Sequence, residues 1–142
     1  TRNNKMKKKI LIVLANYYPG ISNELFNGAY KYLKKKNKIN MKKKRFKVIE
    51  VPGVFEIPVV ISRQIKKFDA IVALGCVIKG ETPHFNFISK ASTDALMKLS
   101  IENKKPIGNG IITCLNKKQA ITRSKKKGQE AAKAVVAVLE NS

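Results

Sequence analysis

The chain has 142 residues, 44% of them hydrophobic, with 30 Lys and Arg against 9 Asp and Glu and a formal net charge of +21. That length holds one domain with a real core, and that apolar content excludes a disordered chain. No apolar run reaches the length of a membrane span, no signal peptide is visible, and one histidine with two isolated cysteines cannot build an ordinary zinc site.

Residues 1–8 are basic, carry no apolar pattern and are expected to be disordered, with a single domain over 9–142. Ile10-Leu11-Ile12-Val13-Leu14 predicts a strand buried on both faces. Pro19 and Gly20 break it, and Ser22 is expected to cap a helix with Leu25, Phe26, Ala29, Tyr30 and Leu33 at helical spacing. Residues 34–44 read as a basic connection and 46–51 as the second strand. Pro52-Gly53 turns the chain into a helix over 55–67, with Pro58 tolerated in its first turn. A third strand over 68–77 and a helix over 85–103 follow, the helix with Ile88, Ala91, Ala95, Leu96 and Leu99 on one side. The fourth strand spans 106–115, and two helices, over 116–123 and 127–139, end the chain. The alternation βαβαβαβα predicts an α/β fold, a three-layer α-β-α sandwich with a four-stranded parallel sheet. In such sheets ligands sit beyond the carboxyl ends of the strands.

The densest chemistry lies in Gly75-Cys76-Val77-Ile78-Lys79-Gly80-Glu81-Thr82-Pro83-His84. A buried strand there opens through glycines toward a helix N-terminus, where backbone N–H groups and the helix dipole favour an anion. His84 is the only histidine, the side chain whose ordinary titration falls near neutral pH. Together they suggest an enzyme acting on a phosphorylated or otherwise anionic small molecule. The same pattern also describes a plain tight turn with a surface histidine. Gly75 to Thr82 matches the spacing of a nucleotide-binding P-loop except for Glu81 in place of its lysine. A carboxylate there would repel phosphate, which rules out an ATP or GTP site.

A charge of +21 raises nucleic acid as a partner. The lysines, however, are spread in runs at 7–9, 34–36, 42–44, 104–105 and 125–127. The aromatics do not interleave with them as stacking platforms would require. A compositional bias of the source proteome explains the charge better, and nucleic-acid binding is expected to be non-specific only. Cys76 and Cys114 lie far apart in apolar runs, as reduced, buried thiols of a cytoplasmic protein would.

Several blocks taken together resemble the lumazine synthase family. They are Ala15-Asn16-Tyr17-Tyr18, Asn27-Gly28-Ala29, Val51-Pro52-Gly53-Val54-Phe55-Glu56-Ile57-Pro58, the stretch from Ala73 through His84 to Phe85, Gly108-Asn109-Gly110-Ile111-Ile112-Thr113, and Gln119-Ala120-Ile121-Thr122-Arg123. They run in the family's order from about Lys9 to Leu139, and the Pro-Gly-x-Phe-Glu-Ile-Pro and Gly-x-x-x-x-Gly-x-Thr-x-His blocks are specific in combination. The resemblance implies a flavodoxin-like fold and a step of riboflavin biosynthesis. That step condenses 5-amino-6-ribitylaminouracil with 3,4-dihydroxy-2-butanone 4-phosphate to 6,7-dimethyl-8-ribityllumazine, phosphate and water. It implies no cofactor and no metal.

Residue by residue, the resemblance makes Tyr17 the aromatic that stacks on the pyrimidine. Val54, Phe55 and Glu56 become the ribityl-binding segment, and Cys76, Val77 and Ile78 the pyrimidine edge. Gly80, Glu81 and Thr82 become the phosphate loop, His84 the general acid/base, Arg123 the phosphate arginine and Lys127 a weaker candidate beside it. Tyr18 stands where the family often has asparagine and receives no role. Glu81 stands where small residues are usual, so its side chain must point away from phosphate. Asn109 stands where many members place a phenylalanine lid on the ring. The resemblance further implies a homopentamer with sites between subunits, Tyr17, Phe55, Glu56 and His84 from one chain and Asn109 and Arg123 from the next. The short connection from Arg123 to Gly128 favours a free pentamer over an icosahedral shell. A functional link to riboflavin synthase is also implied. The other readings are a non-catalytic ligand-binding or scaffold member and a basic nucleic-acid-binding α/β protein.

Overall fold

The structure, a computed structural model, describes residues 8–36 and 45–141. Apart from Lys8, the basic leader expected over 1–8 lies outside the described residues, as does the lysine run at 42–44. Four parallel strands form one sheet in the order β2-β1-β3-β4: β1 (Ile10–Ala15), β2 (Phe46–Val51), β3 (Ala70–Ile78) and β4 (Ile107–Cys114). The two central strands are the continuous apolar runs. Every residue of β1 and β3 is buried, as helices on both faces of a parallel sheet require. The edge strands are mixed. Lys47 and Glu50 of β2 and Asn109 and Thr113 of β4 reach solvent.

The helices are α1 (Pro19–Lys35), α2 (Ile57–Gln64), α3 (Phe85–Asn103) and α4 (Lys117–Glu140), with single 3₁₀ turns over Val54–Glu56 and Ile65–Lys67 flanking α2. Alternate residues of β1 divide the core. Ile10, Ile12 and Leu14 pack with α1 and α4, whereas Leu11, Val13 and Ala15 pack with α2 and α3. This is the expected α-β-α sandwich. Among the described residues no helix is long and apolar enough to cross a membrane.

Three local expectations need correction. The helix expected over 55–67 is a 3₁₀ turn, an eight-residue α-helix and a second 3₁₀ turn. Ser22 does not cap α1, which starts three residues earlier at Pro19, whose ring already holds a helical φ. The Ser22 hydroxyl instead donates to the Ala15 carbonyl at 2.7 Å, tying the helix to the end of β1. Finally, the two terminal helices are one. The break expected over 124–126 is helical, and Gly128 sits inside α4 where α1 crosses. A Cβ at Gly128 would lie 2.0 Å from the Leu25 carbonyl oxygen, and one at Gly28 would lie 2.0 Å from that of Lys125. Only hydrogen lets these two helix backbones touch.

Glycines also bring α4 onto the sheet. A Cβ at Gly108 would lie 2.2 Å from the Ala131 carbonyl oxygen, and one at Gly110 would meet the Leu74 side chain at 2.5 Å. The Gly108-Asn109-Gly110 block thus has a packing cause, with both glycines buried and Asn109 exposed between them.

Candidate functional site

The chain passes from β1 out to β2 and then back across to β3 on the other side of β1. Connections diverge at such a reversal and leave a crevice at the carboxyl ends of the strands. An open cleft of about 200 Å³ lies there. β1 contributes Tyr17 just past its end, the turn after β2 contributes Gly53, Val54 and Phe55, and β3 contributes Cys76 and Val77. Glu81, Thr82 and Pro83 close one side from the turn that leads into α3. The walls are mostly apolar, and two aromatic rings stand uncovered, Tyr17 67% and Phe55 64% exposed. Planar, apolar walls with polar groups at one end suit a heteroaromatic ligand.

Gly75 makes this shape possible. A Cβ there would meet the Val54 side chain at 2.8 Å and Ala15 Cβ at 3.1 Å, so Val54 seats directly against β3. Glu56 sits beside the cleft, in an adjoining groove with Phe55, Pro58 and Val59, and its amide donates to the Gly53 carbonyl at 3.1 Å. Its carboxylate folds toward Gly53, where a Cβ would find Oε1 at 3.2 Å.

The turn after β3 is tightly specified. The Lys79 amide donates to the Cys114 carbonyl at 2.8 Å, which anchors the turn to β4. The amides of Glu81 and Thr82 both donate to the Ile78 carbonyl, at 3.1 and 3.0 Å. Gly80 has φ +90°, and a Cβ there would meet nothing within 4 Å, so backbone conformation and not space demands glycine. His84 is exposed, stands at the N-cap of α3 and is left-handed, φ 56° and ψ 39°. A non-glycine residue there costs roughly 1–2 kcal/mol. Strain of this kind concentrates at functional positions. The His84 carbonyl is used in the helix, accepting from the Ile88 amide at 2.9 Å.

Tyr18, which sequence reasoning passed over, is central to the polar end. Its hydroxyl donates to Glu81 Oε1 at 3.1 Å. Its ring meets Tyr17 edge-on with centroids 4.9 Å apart, and Lys117 Nζ lies 5.6 Å from the Tyr18 centroid. Burial, and next the bond to the Glu81 carboxylate, push the phenol up to about 12. The available signal was the pair of departures from the family pattern at positions 18 and 81, which turn out to be bonded to each other.

Cys76 and Cys114 are free and buried, as expected. Parallel pairing brings these distant positions together: Cys76 faces Ile112 across β3–β4 and Cys114 faces Ile78. Burial first, then the neighbouring Cys114 thiol, push Cys76 up to about 12. A thiol held protonated in this way is no nucleophile at neutral pH. Among the described residues no group of three or more His, Cys, Asp or Glu side chains could hold a metal ion.

The remaining expected residues lie elsewhere on the chain. Arg123, exposed on α4, donates from Nη1 to the Thr113 carbonyl at 3.3 Å and to Cys114 Sγ at 3.6 Å. Lys127 follows one helical turn later. Asn109 lines a separate groove between α3 and α4 with Met97, Pro106 and Val138. Its Oδ1 accepts from the Ile111 amide at 3.0 Å. The start of α4 is fixed by a reciprocal cap: Asn116 Oδ1 accepts from the Gln119 amide and Gln119 Oε1 from the Leu115 amide, both at 2.8 Å. The structure thus gathers Tyr17, Val54, Phe55, Cys76, Val77, Glu81 and Thr82 around one cleft. Ile78, Gly80 and His84 belong to the same strand and turn without lining it, and Arg123, Lys127 and Asn109 sit at the β4–α4 side.

Residues 7–142 match the family model described as 6,7-dimethyl-8-ribityllumazine synthase. Curated relatives agree. The chain is 42% identical to the 6,7-dimethyl-8-ribityllumazine synthase of Buchnera aphidicola, over 99% of this chain and 89% of the relative. It is 41% identical to 6,7-dimethyl-8-ribityllumazine synthase 1 of Rhodopseudomonas palustris, over 92% of this chain and 83% of the relative. The Bartonella henselae enzyme of the same name is also 41% identical, over 94% of this chain and 87% of the relative.

Proposed function

The chain belongs to the 6,7-dimethyl-8-ribityllumazine synthase family, and from that premise we propose that the cleft beyond β1, β2 and β3 is one half of an active site completed by a second subunit. The reaction is the condensation of 5-amino-6-ribitylaminouracil with 3,4-dihydroxy-2-butanone 4-phosphate, in riboflavin biosynthesis. The observation that carries the reading is the split in the site. An open apolar cleft with bare aromatic walls stands on one side of the chain, and the cation suited to phosphate, Arg123, stands outside it.

The pyrimidine stacks on the Tyr17 ring, with its edge along Cys76, Val77 and Ile78. The ribityl chain lies along Val54 and Phe55, its hydroxyls reaching the Glu56 carboxylate. The phosphate is received by the turn at Gly80, Glu81 and Thr82. Arg123 of a neighbouring subunit offers its planar fork to the phosphate oxygens, with Lys127 one turn behind and Asn109 at the ring. His84, fixed at the head of α3, moves protons while the amine and ketone form the imine, while phosphate leaves and while the ring closes. Much of the acceleration comes from holding two reactants in register. Residues 9–142 act as one unit, in a cytoplasmic homopentamer functionally linked to riboflavin synthase. The unbroken helix through Arg123 and Gly128 leaves no loop there, which favours a free pentamer over a shell.

Lumazine fluorescence and phosphate release, followed together with both substrates, test the reading against the uncatalysed condensation. His84→Ala is expected to lower the rate by about 10²–10⁴-fold, and adding Arg123→Ala to remove most of the rest. A folded wild-type protein that gives no acceleration would refute it.

A further inference from the structure

We propose that Tyr18 is a positioning residue for the anion end of this site, its hydroxyl holding the Glu81 carboxylate aside from the turn that receives phosphate. The inference rests on the proposed reaction for its substrate, but its geometry stands independently. Glu81 lies between Gly80 and Thr82, lines the cleft and carries its carboxylate into the turn that the proposed reaction assigns to phosphate. A carboxylate left to swing there would repel phosphate directly. Tyr18 lies three residues past the end of the other central strand, at the N-cap of α1, and its hydroxyl donates to Glu81 Oε1 at 3.1 Å.

The phenol is itself held. Its ring is edge-on to Tyr17 at 4.9 Å, and Lys117 Nζ sits 5.6 Å from its centroid. Lys117 is the first residue of α4, so three elements meet at this ring. The ammonium also places a positive charge in the same cluster as Glu81, which further reduces the field that an incoming anion meets. The arrangement couples the two faces of the cleft. The aromatic wall at Tyr17 and the anion turn at Glu81 are braced by one intermediate side chain.

Three variants test this in the full chain: Tyr18→Phe, Glu81→Gln and the double variant. Inorganic phosphate is titrated calorimetrically onto ligand-free protein, and steady-state turnover is measured in parallel. Tyr18→Phe keeps the ring and frees the carboxylate. It is expected to weaken phosphate binding about fivefold, the scale of repulsion between partly exposed charges. The KM for the butanone phosphate should rise by the same factor with little change in kcat. Glu81→Gln has no charge to restrain, so the double variant should bind phosphate as Glu81→Gln alone does. Unchanged phosphate binding in Tyr18→Phe, or a double variant as weak as Tyr18→Phe, would overturn the inference. Phosphate binding that follows the expected pattern in a protein forming no lumazine would sustain the role of Tyr18 and sink the proposed reaction. Lumazine formation without that pattern would do the reverse.

Discussion

Replacing Gly128 with alanine tests the packing that fixes both halves of the fold. The new Cβ would lie 2.0 Å from the Leu25 carbonyl oxygen and 2.8 Å from its carbon. Reaching even 3.0 Å from the oxygen requires the α1 and α4 backbones to part by 3.0 − 2.0 = 1.0 Å. No side chain can turn aside, because the wall is main chain. Leu25, Ala29, Ala131 and Ala132 are buried in the same seam and must move with it. Overpacking typically costs about 1–3 kcal/mol, and a backbone wall places this case near the top. Alanine returns up to about 1 kcal/mol in helix propensity, so the net loss is ~2 kcal/mol. For a chain of this size that lowers Tm by about 7 °C. Gly20→Ala is the control, since nothing lies within 4 Å of a Cβ at Gly20. Thermal melts followed by circular dichroism, repeated at several protein concentrations, separate this loss from any change in assembly. A Gly128→Ala protein that melts with the wild type, or with Gly20→Ala, would refute the close crossing.

Two further outcomes follow from charge. Cys76 is raised from 9.0 to about 12 and Tyr18 from 10.0 to about 12 in the folded chain. The unfolded chain therefore releases these protons first. Their contribution to stability is intact below pH 9 and is lost as pH rises from 9 to 12. The gap between the urea midpoints of wild type and Cys76→Ala should narrow across that window, the wild type falling more steeply, and a constant difference would contradict the shift. Separately, the proposed pentamer would carry 5 × 21 = +105 from chains at +21 each, a self-repulsion that opposes assembly. If the chain assembles as proposed, sedimentation should show that assembly weakened at low salt and restored by phosphate, and a profile indifferent to salt would count against it.

The sheet was legible because its central strands are unbroken apolar runs, Ile10 to Leu14 and Ala70 to Leu74, which only a doubly covered parallel strand explains. The cleft was legible in part, through the motifs that follow β1, β2 and β3. What escaped depends on contacts between distant positions. The lysines at 125–127 followed by Gly128 look like the joint between two helices, because a glycine required by a helix far earlier in the chain leaves no local trace. Ser22 looks like a cap, because its bond to the Ala15 carbonyl becomes visible only once strand and helix are folded together. Tyr18 carried no role, because its partner lies 63 positions away. Local pattern reports which face is buried, and side-chain pairing across the fold has to be seen.

The crossing of α1 and α4 also sets the order in which the protein can be built. During synthesis α1 emerges early, and the helix that covers it follows all four strands of the sheet. Strand β1 likewise waits for β3 before its second edge is paired. Until α4 leaves the ribosome, Leu25, Ala29 and Leu33 have no partner on it, and the nascent chain carries an apolar strip on a strongly cationic body. Closure by a segment made so long after α1 makes folding a late, long-range event. It follows that the interval before α4 packs is when the α1 strip is most exposed to aggregation.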